Sequence, residues 1–182
     1  LTCDWSSDVC SSDLSMYTVS IPVFMQHLNG LSGVLDKAAA WAAARKVSEA
    51  DLLNMRLSPD MFNLARQIRA ATDHAANAAA RLAGKELLKF SNEETTLAQF
   101  KERIGKTIEF LKGFKPAEID GTEGKEIKVT FPNGNTRDFT GQSLLLGNSL
   151  PNFYFHAATA YDILRMCGVE IGKRDFMGTP PA

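Results

Sequence analysis

LSPDMFNLARQIRAATDHAANAAARLAG, residues 57–84, decides the fold. Ser58 suits a helix N-cap, Pro59 fits a first turn that has no use for its N–H, and Leu57 can staple onto Phe62. Met61, Leu64/Ala65, Ile68, Ala71, Ala75, Ala79 and Leu82 recur in steps of three and four, so one helix face stays apolar until Gly84 stops it. The many alanines on that face imply close approach by a neighbouring helix. His74 lies off the stripe centre, beside Arg81 and Gln67.

The same period appears on both sides of this segment. Upstream, residues 22–44 carry Phe24, Leu28, Leu31, Leu35, Ala38 and Ala42 behind Pro22, with Gly30 and Gly33 read as marks of close packing. Ser48 and Asp51 suit a short capped turn in between. Downstream, Ser91 and Glu94 have capping-box spacing ahead of Leu97, Phe100, Ile104, Ile108 and Leu111. The period then shortens to two over residues 126–131. Pro132-Asn133-Gly134-Asn135 is a turn signal, and residues 136–140 return as a second strand. A last helix begins near Gln142, restarts at Pro151 and ends at Cys167 before Gly168, and an irregular tail follows. The pattern predicts an all-α bundle of four helices with a small β-hairpin inserted between the third and fourth.

Length and composition bound the function class. The chain has 182 residues, 20 Lys+Arg against 21 Asp+Glu, and 45% hydrophobic residues, enough for one domain with a real core. No apolar run approaches the roughly 20 residues that cross a bilayer, and balanced charge provides no footprint for a phosphate backbone. Both observations argue against membrane and nucleic-acid partners. Residues 3–14, CDWSSDVCSSDL, have no helical or strand period and resemble a sequencing-library adaptor translated in one frame. Residues 1–15 are therefore read as a non-native, disordered segment, Met16 as the start, and residues 16–182 as a single domain. Setting them aside removes Asp4, Asp8 and Asp13, leaving 18 acids against 20 bases, and removes Cys3 and Cys10 as a disulfide or metal pair. One thiol, Cys167, and no targeting segment point to the cytoplasm.

The chemistry-bearing residues are few. The three histidines fall one each on the first, second and fourth helices: His27, His74 and His156. At about 100° per residue His156 sits near the apolar stripe of Phe153, Ala157, Ala160, Ile163 and Cys167 and faces the core or its edge. A divalent metal needs such imidazoles to converge with an open coordination position, and bundles build such sites on facing helices. The bland reading of each is a partly buried or flank histidine bonded to a neighbour, since there is no HxxxH or ExxH spacing. Tyr154 and Tyr161, seven apart, can line a pocket or simply pack. Cys167 at a helix C-terminus faces the dipole end that raises a thiol pKa. Arg174 and Asp175 suit tying down the tail better than binding an anion.

LSPDMFNLARQIRAATDHA (residues 57–75) and LPNFYFHAATAYDILRMCGVEIGKRDFMG (residues 150–178) together resemble an uncharacterised domain-of-unknown-function family of the DinB-like superfamily. The resemblance implies a DinB-like four-helix bundle of up-down-down-up topology, first and fourth helices parallel, assembled as a homodimer. The enzymes of that superfamily are metal-dependent thiol transferases with one histidine on the second helix and two, four apart, on the fourth. His74 and His156 match the first two positions, but Ala160 stands at the third, so His27 or a carboxylate such as Asp73 would have to substitute. Two functions stay open. One is a transferase or hydrolase acting on a small molecule with a divalent metal (Zn, Ni or Mn) held by His74, His156 and His27, with Asp73, Tyr154 and Tyr161 lining the pocket. The other is a non-catalytic dimeric bundle with a degenerate metal site that binds a small apolar ligand or acts structurally.

Overall fold

Apolar steps of three and four become four long helices in the computed structural model, which describes residues 14–130 and 134–180. The chain runs through α1 (Ile21–Arg45), a short α2 (Glu49–Asn54), α3 (Leu64–Ala83), α4 (Leu97–Lys112) and a one-turn α5 (Pro116–Ile119). The antiparallel strands β1 (Glu126–Thr130) and β2 (Thr136–Thr140) follow, in the register Glu126↔Thr140 to Thr130↔Thr136. Next, α6 (Gly141–Leu144) passes through a π-turn (Leu145–Ser149) into α7 (Leu150–Met166), and α8 (Lys173–Met177) ends the fold. The adaptor-like residues 3–13 and the turn residues Pro132 and Asn133 lie outside the described residues. Among the described residues no helix is long and apolar enough to cross a membrane.

The apolar stripes close on one another. Phe24, Leu28 and Leu35 of α1, Ile68 and Leu82 of α3, Phe100 and Ile104 of α4, and Phe153 and Ile163 of α7 are fully buried in one core. Ile127, Val129 and Phe139 seat the hairpin against it.

Polar and aromatic pairs fix the helix directions. Phe24 and His27, early in α1, meet Phe153, early in α7, so these helices are parallel. Arg69 near the start of α3 reaches Glu94 just ahead of α4, and Lys85 just past α3 reaches Glu118 beyond α4, so this pair is parallel too. Asp36 late in α1 pairs with Lys101 early in α4, which makes α1 and α4 antiparallel. Gln67 bonds His156, while Leu82, at the far end of α3, abuts Gly141, so α3 and α7 are antiparallel. The result is the up-down-down-up bundle.

Two helix starts differ from the sequence reading. α3 begins at Leu64 with Asn63 as N-cap, its side chain accepting from the Arg66 N–H at 3.1 Å, because Ser58 is occupied with Asp60 at 2.6 Å. α4 begins at Leu97 under a Thr96/Gln99 capping box, not at Ser91, because Glu94 is drawn into ion pairs with Arg69 and Arg103. The tail is more ordered than its sequence suggests: Asp175 accepts from the Gly172 N–H and pairs with Lys37, and α8 lies on α1 at Gly30. A Cβ on Gly30 would stand 2.6 Å from the Phe176 carbonyl oxygen, so this contact requires glycine.

Arg103 is the polar centre between α3 and α4. Its guanidinium, 2% exposed, donates to Thr72 Oγ1 (2.7 Å), Asn92 Oδ1 (2.8 Å), Glu94 Oε1 (2.7 Å) and Asp73 Oδ1 (2.5 Å), and covers the Phe90 ring. Removing one member of such a buried pair strands the others in low dielectric. Arg103→Ala should cost about 3–5 kcal/mol in chemical denaturation. Arg103→Lys should recover only part of it, because an ammonium cannot reproduce the fork.

Candidate functional site

α3, β1 and the π-turn enclose a cleft of about 680 Å³ with His156 of α7 in its wall. α3 supplies Arg66, Arg69, Asp73, His74, Asn77 and Arg81, which share one stripe of that helix at steps of three and four. Val129 and Thr130 close the hairpin side, and Asn148 comes from the π-turn. That turn precedes Pro151, which has no N–H to return to the Gly147 carbonyl, so the regular ladder is interrupted there.

His74 and His156 are brought together, their rings stacked with centroids 5.6 Å apart and planes 14° from parallel. His156 also stacks on Phe62, whose ring is covered by the Arg66 guanidinium at 3.7 Å. Gln67 sets the His156 tautomer. Its amide nitrogen donates to the Phe62 carbonyl at 3.2 Å, which turns its oxygen toward His156 Nδ1 at 2.7 Å. Nδ1 therefore carries the proton and Nε2 keeps its lone pair.

Both imidazoles are held neutral. Burial, then His156 and Arg81, push His74 from 6.5 down to about 4. Burial, then Arg66, lower His156. Of the charged groups in the cleft, Arg69 is paired with Glu94, and Asp73 is bound by Arg103. Partial burial nevertheless raises the Asp73 pKa, against the pull of Arg103. Arg66 and Arg81 have no carboxylate partner among the described residues, so the cleft carries two uncompensated positive charges.

His27 is not part of this cleft. It lies 7% exposed among Phe153, Tyr154 and Phe176, its Nδ1 without a hydrogen-bond partner among the described residues. Burial lowers its pKa, and the backbone of Phe176 partly opposes this. Tyr154 meets His27, and Tyr161 meets Phe176. Two residues from His156, Tyr154 is turned about 200° around the helix, so both tyrosines serve the α1/α8 side instead of the cleft. Cys167 is half-buried against the core, and burial raises its thiol pKa. Arg66, Asn77 and Asn148 are site residues that sequence reasoning missed, and Arg81 was placed beside His74 without a role; for those on α3 the signal was the 66-70-74-77-81 spacing, steps of four and three on the polar side of the helix, and Asn148 had none.

The metal set expected from the family resemblance, His74 and His156 completed by His27 or Asp73, does not fit the placement of these residues. Ala160, at the third position, is fully buried in the core, and Asp73 is engaged by Arg103. Among the described residues no three His, Cys, Asp or Glu side chains group to hold one ion. Stacked rings also run their in-plane lone pairs side by side, whereas a shared metal at about 2.0–2.1 Å needs them to converge. Two unpaired guanidiniums repel a divalent cation further.

A group whose protonation is disfavoured by folding makes stability pH-dependent. With His74 near 4 in the folded chain and 6.5 unfolded, the unfolded chain binds more protons between those values. Its contribution is complete above pH 6.5 and is lost as the pH falls toward 4, by up to about 3 kcal/mol. In thermal melts, His74→Gln should lose distinctly less stability than the parent over that interval.

The chain is similar to known proteins over nearly its whole length. The family model described as Domain of unknown function (DUF1993) matches residues 16–177. A solved structure of a DinB family member protein from Shewanella denitrificans is 38% identical, with a TM-score of 0.82 over 91% of this chain and 93% of that one. No curated protein matches. The chain belongs to the family described as Domain of unknown function (DUF1993), on a DinB-like fold.

Proposed function

We propose that this DinB-like protein binds a small molecule in the His74/His156 cleft and works there through neutral imidazoles, without a resident divalent metal. The observation that supports this best is the donor set: two stacked histidines, an aspartate already held by Arg103, and two guanidiniums with no acid beside them. Nδ1 of His156 is fixed as a donor to Gln67, so Nε2 is a proton acceptor at the cleft wall. His74, neutral well below pH 7, can accept or donate one hydrogen bond beside it. Most of the residues lining the cleft are polar or charged, which favours a ligand with polar groups over the wholly apolar one that the non-catalytic reading suggests.

One observation favours the metal-dependent transferase or hydrolase as the second reading. A histidine whose Nδ1–H is tied to a carbonyl oxygen and whose Nε2 is free is oriented as metal-ligating histidines are. Elemental analysis of untagged protein, before and after exposure to Zn, Ni and Mn, separates the two. The expected result is metal well below one per chain and unchanged by His156→Ala. Near-stoichiometric metal that disappears in both His74→Ala and His156→Ala overturns the metal-free reading and installs the second.

A further inference from the structure

We propose that Arg81 is the anion anchor of the cleft: an oxyanion of a small organic ligand, carboxylate or phosphate, pairs with its guanidinium and is flanked by Asn77 and the N–H of His74. The inference rests on the preceding proposal that the cleft is a metal-free small-molecule site, and adds the chemistry of what it takes.

The other arginines on this side of the bundle, from buried Arg103 to exposed Arg66, each have a partner. Arg103 has two carboxylates, and Arg69 shares Glu94 with it. Arg66 lies over the Phe62 ring at 3.7 Å. Arg81 is half-buried in the cleft wall with none of these: no carboxylate and no aromatic face among the described residues. A cation taken partly out of water without a counter-charge is costly, and natural sites accept that cost where a ligand supplies the anion.

Arg81 is in the last turn of α3, where a cation could be explained by the helix dipole. Lys125 already fills that role. Its ammonium donates to the Leu82 carbonyl at 2.8 Å and lies 3.4 Å from the Arg81 carbonyl. The Arg81 guanidinium is thus free to serve the cleft.

Position then sets the binding mode. Asn77 precedes Arg81 by four residues, on the same face, and His74 lies one further step of three back. Arg66 is about 22 Å from Arg81 along the helix axis at 1.5 Å per residue, so one small oxyanion cannot bridge both. Arg66 adds positive potential at the far end, where its guanidinium covers the Phe62 ring that stacks on His156.

Sulfate, a dianion that does not titrate near neutral pH, is the probe. Titration of the full chain at low ionic strength, followed by amide chemical shifts, should show saturable millimolar binding with the largest changes at Asn77 and Arg81. Arg81→Gln should weaken it about tenfold or more, as loss of a charge-assisted bond predicts, and Arg66→Gln only a few-fold. Arg45→Gln, outside the cleft beside Trp41, should leave it unchanged. No saturable sulfate binding, or equal binding by Arg81→Gln in a protein that melts normally, overturns the assignment. Metal content of the same samples keeps the two proposals apart. Stoichiometric metal lost with His74 and His156 defeats the metal-free reading whatever sulfate does, and metal-free protein blind to sulfate defeats only the anion anchor.

Discussion

A buried guanidinium must find an acceptor for nearly every N–H, and the satisfaction of Arg103 organises the face between α3 and α4. Thr72 and Asp73 come from α3, and Asn92 and Glu94 from the connection that leads into α4. These partners hold the two helices side by side in the same direction and pin the extended segment between them. Burial of a charge gives little net stability when every partner is present, and a large loss when one is missing. The network therefore selects one arrangement more than it strengthens it.

The consequences reach the adjoining cleft, which Asp73 and Asn92 also line. Asp73 is a neighbour of His74 in sequence and lines the same cleft, yet its carboxylate is directed to Arg103. Glu94, the other acid nearby, is divided between Arg69 and Arg103. With both carboxylates engaged, the remaining polar groups on that stripe are His74, Asn77, Arg66 and Arg81, a set that is neutral or positive. The stripe thus pairs neutral imidazoles with cations, the charge pattern on which the proposed anion site rests. A negative group beside the two histidines would oppose the effect of burial and ease their protonation, since an opposite charge favours the charged form.

The apolar stripes were legible because a helix carries its own period. Phe24, Leu28 and Leu35, Phe100 and Ile104, and Phe153 and Ile163 all fall where their spacing predicts, and Gly84 stops α3 with a left-handed backbone. Helix starts were less legible, because Ser58 and Ser91 have good local cap chemistry but lose to Asn63 and Thr96 once Asp60 and the arginines compete for the same groups. His74 beside Arg81 and Gln67 was visible on a helical wheel. Its pairing with His156 was not, because it depends on how deep α3 and α7 sit relative to each other. His27, level with early α7, turns toward Phe176 for the same reason: an equal height on parallel helices does not fix an azimuth.

By itself the sequence determined the helices, the hairpin, the apolar faces that meet in the core and, through its family motifs, the DinB-like fold. Tertiary structure alone decided which polar side chains are paired and which are left without a charged partner. The physical reason lies in range. Apolar periodicity repeats every three or four residues and can be read along the chain, whereas the bond from His156 to Gln67 spans 89 positions and that from Arg69 to Glu94 spans 25. Whether an arginine is satisfied depends on groups that only the packed helices bring within a few ångströms.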